Sequence, residues 1–170
     1  MDKKYIKMYT IEFVILAALI VVSQLVTYLI MNGIGVNGVR EVIPGVLELR
    51  YAENRGMAFS FLYGRTVLLS MIAGVMCLGI LGYLIIFKKE HRLLRTGLVI
   101  LLAGAVSNLY ERVFAGFVID YFFITFYPAV FNVADILIVA GAILVGIYVV
   151  FYFRKESKKE KAAKSKASEK

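Results

Sequence analysis

Two carboxylates, Asp120 and Asp135, stand in apolar surroundings: Val118-Ile119-Asp120-Tyr121-Phe122 and Phe131-Asn132-Val133-Ala134-Asp135-Ile136. A carboxylate in or near hydrocarbon costs about 2.5–3.5 kcal/mol on insertion scales unless it is paired, solvated or protonated. Two such groups on neighbouring segments relieve that cost by sharing one proton. The same arrangement supplies an acid and a base for splitting a peptide bond. The chain therefore reads first as an intramembrane aspartic protease.

Other chemistries fail on inventory. His91 is the only histidine, placed in a basic loop away from the acids, and reads as a solvated loop residue. That leaves no Ser–His or Cys–His pair and no histidine-rich zinc site. Cys77, the single cysteine, lies inside an apolar run, so it reads as a packed thiol and no intrachain disulfide is possible. No glycine-rich phosphate loop is present. The expectation is an enzyme without metal or other cofactor.

The elements that must carry these residues are set by hydropathy. Of 170 residues, 61% are hydrophobic, with a mean hydropathy of +0.79, and they gather into long runs. Crossing about 30 Å of hydrocarbon takes about 20 helical residues, and lipid offers the backbone no hydrogen-bond partner, so each span must be a helix. Four stretches qualify, at about 11–31, 66–87, 93–114 and 132–153. The expected fold is a mainly α membrane protein: one four-span domain over 1–153, a small extracytoplasmic β-sheet and a short interfacial segment. Residues 154–170 read as a basic, disordered cytoplasmic tail attracted to anionic lipid.

The net charge of +8 and pI near 9.6 do not indicate a nucleic-acid partner, because the basic residues sit just outside the apolar runs. Lys3, Lys4 and Lys7, Lys88 to Arg95, and Arg154 to Lys170 are on one side; only Arg40, Arg50, Arg55, Arg65 and Arg112 are on the other. That asymmetry places both termini in the cytoplasm. The basic then apolar start lacks a small-residue cleavage site and reads as an uncleaved signal-anchor. In the outside segment 32–65, Val46-Leu47-Glu48-Leu49-Arg50-Tyr51 alternates as a half-covered strand, bracketed by turn dipeptides. Met57–Leu62 reads as the interfacial segment.

On the third span Gly104, Asn108, Glu111 and Arg112 recur at three and four and share one helical face. The fourth span puts Asn132 and Asp135 in its first outer turn, with Asp120 in the connection between the two spans. Antiparallel helices then bring Asn108, Arg112, Asp120, Asn132 and Asp135 to one depth. A plainer account makes Asn132 a helix cap and Asp135 a favourable first-turn charge. It leaves Asp120 and Arg112 unexplained. Glu111 and Arg112 could also form a structural ion pair. Gly74, Gly79 and Gly82 on the second span read as close-packing points between helices.

Four stretches in order resemble the lipoprotein signal peptidase family, also called signal peptidase II: Asn54-Arg55-Gly56-Met57-Ala58-Phe59-Ser60, Gly104-Ala105-Val106-Ser107-Asn108 with Arg112, Val118-Ile119-Asp120-Tyr121, and Phe131-Asn132-Val133-Ala134-Asp135. The resemblance covers about 11–153. It implies a bacterial enzyme of the cytoplasmic membrane, active near the outer face on prolipoproteins bearing diacylglycerol on the lipobox cysteine, and cutting just before that cysteine. Asp120 and Asp135 match the catalytic pair. Asn54, Gly56, Asn108, Arg112, Asn132, Ala134 and Gln24 match residues that line the site or hold the substrate. Membrane phospholipid is the other expected partner, and a monomer the expected state. The chain departs from the family at Ser23, Thr27 and Glu111, where Asp, Lys and Asp are usual. A homologue that binds lipobox peptides without cutting them, and a proton-coupled transporter, remain as alternatives.

Overall fold

In a computed structural model of the chain, residues 2–56, 64–126 and 129–168 are described, the side chains of 153 and 155–168 excepted. Four long helices alternate with short strands: α1 (Lys3–Ile34), β1 (Val39–Ile43), β2 (Leu47–Asn54), α2 (Thr66–Ile86), α3 (Arg92–Phe114), β3 (Val118–Ile124), β4 (Val130–Phe131) and α4 (Val133–Ser168). Four helical stretches are long and apolar enough to cross a membrane, the last being Val133–Tyr152 of α4. The backbone of α4 stays helical to Ser168, where the sequence suggests disorder. Ala, Lys and Glu, which fill that stretch, are strong helix formers. The interfacial segment expected at Met57–Leu62 lies outside the described residues.

Helix α3 is central, with α1, α2 and α4 arranged against it. Its contact with α4 is the closest. A Cβ at Gly104 would run into the Ala134 carbonyl and come within 2.9 Å of the Ile138 nitrogen; one at Gly141 would lie 2.5 Å from the Leu101 nitrogen. Only glycine lets two backbones approach that far. The glycines of α2 behave otherwise: a Cβ at Gly74, Gly79 or Gly82 would meet nothing within 4 Å. The expectation that they bring helices together does not hold among the described residues. Helix α2 instead meets α3 through side chains, with Cys77 and Leu84 buried against Val99 and Leu102.

At the basic end of the bundle, Arg95 is 2% exposed, not solvated as its place in a basic run suggests. Its guanidinium holds both oxygens of Glu12 on α1 at 2.7 Å and donates to the Phe87 carbonyl at 3.0 Å. Breaking such a buried pair from one side typically costs about 3–5 kcal/mol, because the other charge is left uncompensated. His91 is exposed, caps α3 by accepting the Leu93 N–H, and stacks on Tyr148.

At the other end the strands form one antiparallel sheet in the order β1-β2-β3-β4. Strand β2 takes in Leu47 to Tyr51 of the alternating segment read from the sequence, with Val46 in the turn before it. Its partner β3 comes from the connection between α3 and α4, so the two outside segments build one sheet. Asp120 therefore sits on a strand, opposite Ala52.

Candidate active site

Four elements converge beside Asp120. Strand β3 carries it inward, at 3% exposure, below the Asn54 end of β2. Helix α3 presents Asn108, Glu111 and Arg112 from its last turns. Helix α4 begins there, with Asn132 just before its first residue and Asp135 three residues on.

Asn132, 2% exposed, binds both acids. Its side-chain amide donates to Asp120 Oδ1 at 2.9 Å, its backbone N–H donates to Asp135 Oδ2 at 3.2 Å, and its Oδ1 accepts the Asp135 N–H at 2.9 Å. The last two bonds are the reciprocal cap of a helix start. The capping account is thus correct as local structure, and the same residue continues it into the acid pair. A second bridge runs through α3: Asn108 Nδ2 donates to Asp135 Oδ1 at 2.8 Å, while its Oδ1 accepts from Asn132 at 3.2 Å. Asn54 Nδ2 donates to the remaining Asp120 oxygen at 2.9 Å. Each carboxylate oxygen of the pair has a donor.

Burial, which disfavours charge, pushes the Asp120 carboxyl up to about 7; the neighbouring Asp135 raises it further, against the Asn54 amide and Arg112. Beside it, burial also lifts the Tyr121 phenol above its ordinary value, against its contact with the Thr27 hydroxyl and the hydrogen bond from the Val133 N–H. Thr27 and Ser23, where the usual charged pair is replaced, are both buried, and the Thr27 hydroxyl donates to the Ser23 carbonyl at 3.2 Å. The sequence suggests no role for Tyr121: it directly follows Asp120, but an aromatic residue in an apolar run reads as packing.

The other expected site residues gather around this core. Gly56 donates its N–H to Asn54 Oδ1 at 3.0 Å and accepts at its carbonyl from Arg112 Nη2 at 3.1 Å. Arg112 Nε is buried and has no hydrogen-bond partner among the described residues. Gln24 reaches from α1 to Ser107 and Glu111. Ala134 lies at the α3–α4 contact, its carbonyl against Gly104. Glu111 is not paired with Arg112. It accepts the Ile119 N–H at 2.7 Å instead.

A family model described as signal peptidase (SPase) II matches residues 15–151. The chain belongs to the signal peptidase II family. A lipoprotein signal peptidase of Caldanaerobacter subterraneus subsp. tengcongensis is 38% identical over 138 residues, 81% of this chain and 94% of the relative. Another, from Clostridium novyi, is 36% identical over 114 residues, covering 65% of this chain and 77% of its own. A bacterial membrane enzyme solved by the in meso method superposes with a TM-score of 0.76 at 24% identity, over 83% of this chain and 88% of its own. That likeness concerns the fold: four helices with a small sheet at one end. Within signal peptidase II, then, this is a multi-pass membrane peptidase of bacterial type.

Proposed function

We propose that the chain is an aspartic endopeptidase that removes the signal peptide from diacylglyceryl-modified prolipoproteins, cutting just before the lipidated cysteine. The observation that carries this reading is the bridging of Asp120 and Asp135 by one buried asparagine. Asp120, with its carboxyl at about 7, keeps the shared proton and polarises the scissile carbonyl. Asp135 takes a proton from a water, whose oxygen bonds to the carbonyl carbon while the Asp120 proton passes to the carbonyl oxygen. Collapse returns that proton to Asp120, breaks the C–N bond and delivers the Asp135 proton to the leaving amine. The pair ends as it began. Arg112, whose Nε has no partner among the described residues, and the Asn54–Gly56 turn supply groups to hold the substrate backbone.

The enzyme works as a monomer with both termini in the cytoplasm and its site near the outer face, the substrate's acyl chains lying in phospholipid between helices. Residues 1–153 form the protease domain, followed by the basic tail.

Asp120→Asn and Asp135→Asn test this on purified protein with a diacylglyceryl-modified lipobox peptide. Each should lose cleavage by at least about a hundredfold, within the usual 10²–10⁴ of acid–base catalysis, while keeping wild-type elution and melting behaviour. A folded variant of either kind that cuts at a wild-type rate would exclude the two-aspartate mechanism. Equal cutting of an unlipidated peptide would exclude the substrate class.

A further inference from the structure

Glu111 is buried beside the acid pair and has no part in the mechanism above. Its Oε2 accepts the Ile119 N–H at 2.7 Å, and its Oε1 accepts Gln24 Nε2 at 3.3 Å. Ile119 directly precedes Asp120, and its carbonyl accepts Asn132 Nδ2 at 3.3 Å. One carboxylate on α3 thus ties α1 to the peptide next to Asp120. Without it the Ile119 N–H would be left without that partner in a half-buried strand, a cost comparable to a lost hydrogen bond. Among the described residues, the charged and titratable groups around Glu111 are Arg112 on its own helix, Asp120 and Tyr121 on β3, and Asp135 on α4; α1 contributes the neutral Gln24.

We infer that Glu111 is a positioning residue, which fixes the strand bearing Asp120 against α3 and places a further carboxylate beside the acid pair. The inference rests on the two-aspartate reading of the site. It separates two contributions that substitutions can remove one at a time. Glu111→Gln keeps an oxygen for the Ile119 N–H and removes the charge. Glu111→Ala removes both. Glu111→Asp keeps the charge on a shorter arm.

The experiment is the pH profile of kcat and KM for these three variants and the wild type, on the diacylglyceryl-modified lipobox peptide. The charge of Glu111 raises the Asp120 carboxyl, so its removal in Glu111→Gln should move the alkaline limb of kcat to lower pH. Glu111→Ala should lower kcat by about a hundredfold with KM little changed, as loss of alignment does. Glu111→Asp should recover the position of the limb. A wild-type limb in Glu111→Gln overturns the inference, and so does a wild-type kcat in Glu111→Ala. If Glu111→Ala does not fold, the limb of Glu111→Gln decides alone. Asp120→Asn, run alongside, keeps the two readings apart: an active Asp120→Asn overturns the acid pair itself, whereas an inactive one with unmoved Glu111 variants overturns Glu111 alone.

Discussion

Asn132 is the residue on which both acids depend. It caps α4 and touches Asp120 and Asp135 at once, so Asn132→Ala should act on stability and on rate together. Loss of a helix cap costs about 0.5–2 kcal/mol. The rate should fall by more than that destabilisation can explain, seen as a low kcat in protein that is still folded at the assay temperature. Asp120 adds a pH dependence. Its folded carboxyl lies at about 7, above the unfolded value near 3.9, so the folded state binds the proton more tightly. Its stabilisation is fully present below about pH 4 and is lost as pH rises through about 7. The melting temperature should decline across that window in the wild type and less in Asp120→Asn. Cleavage should fall on the same alkaline limb. The acids and their asparagines were legible in the sequence because polar groups in apolar runs demand an explanation. The Glu111–Arg112 pairing was not there to be found: neighbours on a helix point about 100° apart, and each side chain finds its partner on another element.

The α3–α4 seam sets where Asp135 stands relative to Asn108. Gly104 is the tightest point of that seam, and an added methyl would meet the Ala134 carbonyl and the Ile138 nitrogen, backbone atoms that cannot step aside, as well as the Ile138 side chain. Gly104→Ala should push the first turn of α4 away, lowering the melting temperature and weakening cleavage. Gly79→Ala meets open space and should be neutral or stabilising by about 0.5–1 kcal/mol, the usual gain of alanine over glycine in a helix. Thermal melts of the two purified variants give the comparison; equal destabilisation would mean that the seam is not the constraint. Run length made the four helices legible. Glycine composition did not separate seam from lipid face, since Gly79 and Gly104 look alike without their neighbours. Strand β2 was readable by its alternation, but β3 was not. Val118-Ile119-Asp120-Tyr121-Phe122-Phe123-Ile124 is covered or half-covered along its length, and so lacks the alternation that marks a strand with one wet face.

For the whole molecule, the proposed orientation puts the sheet outside and the α2–α3 turn inside. Single cysteines at exposed positions, Val36→Cys and Lys89→Cys in a Cys77→Ala background, should label oppositely with an impermeant reagent on intact cells, the first strongly and the second not. The reverse pattern would turn the enzyme over and leave its acids on the wrong side for a lipobox. Charge distribution made this orientation readable in advance; it hid the pairing of Arg95, which counts as one more basic residue until Glu12 is seen beside it. Glu12 was open to the same reasoning as Asp120, being an acid at the edge of the first apolar run. The two partners lie 83 residues apart. At about 5–20 residues per second, α1 must wait roughly 4–17 s for its counter-ion to be made. A nascent chain stopped at Glu90, before α3, should therefore resist alkaline extraction from membranes less well than the same fragment with Glu12→Leu, a difference that should vanish once Arg95 is included. The first helix enters the bilayer early and is secured late, and the ribosome sets the interval.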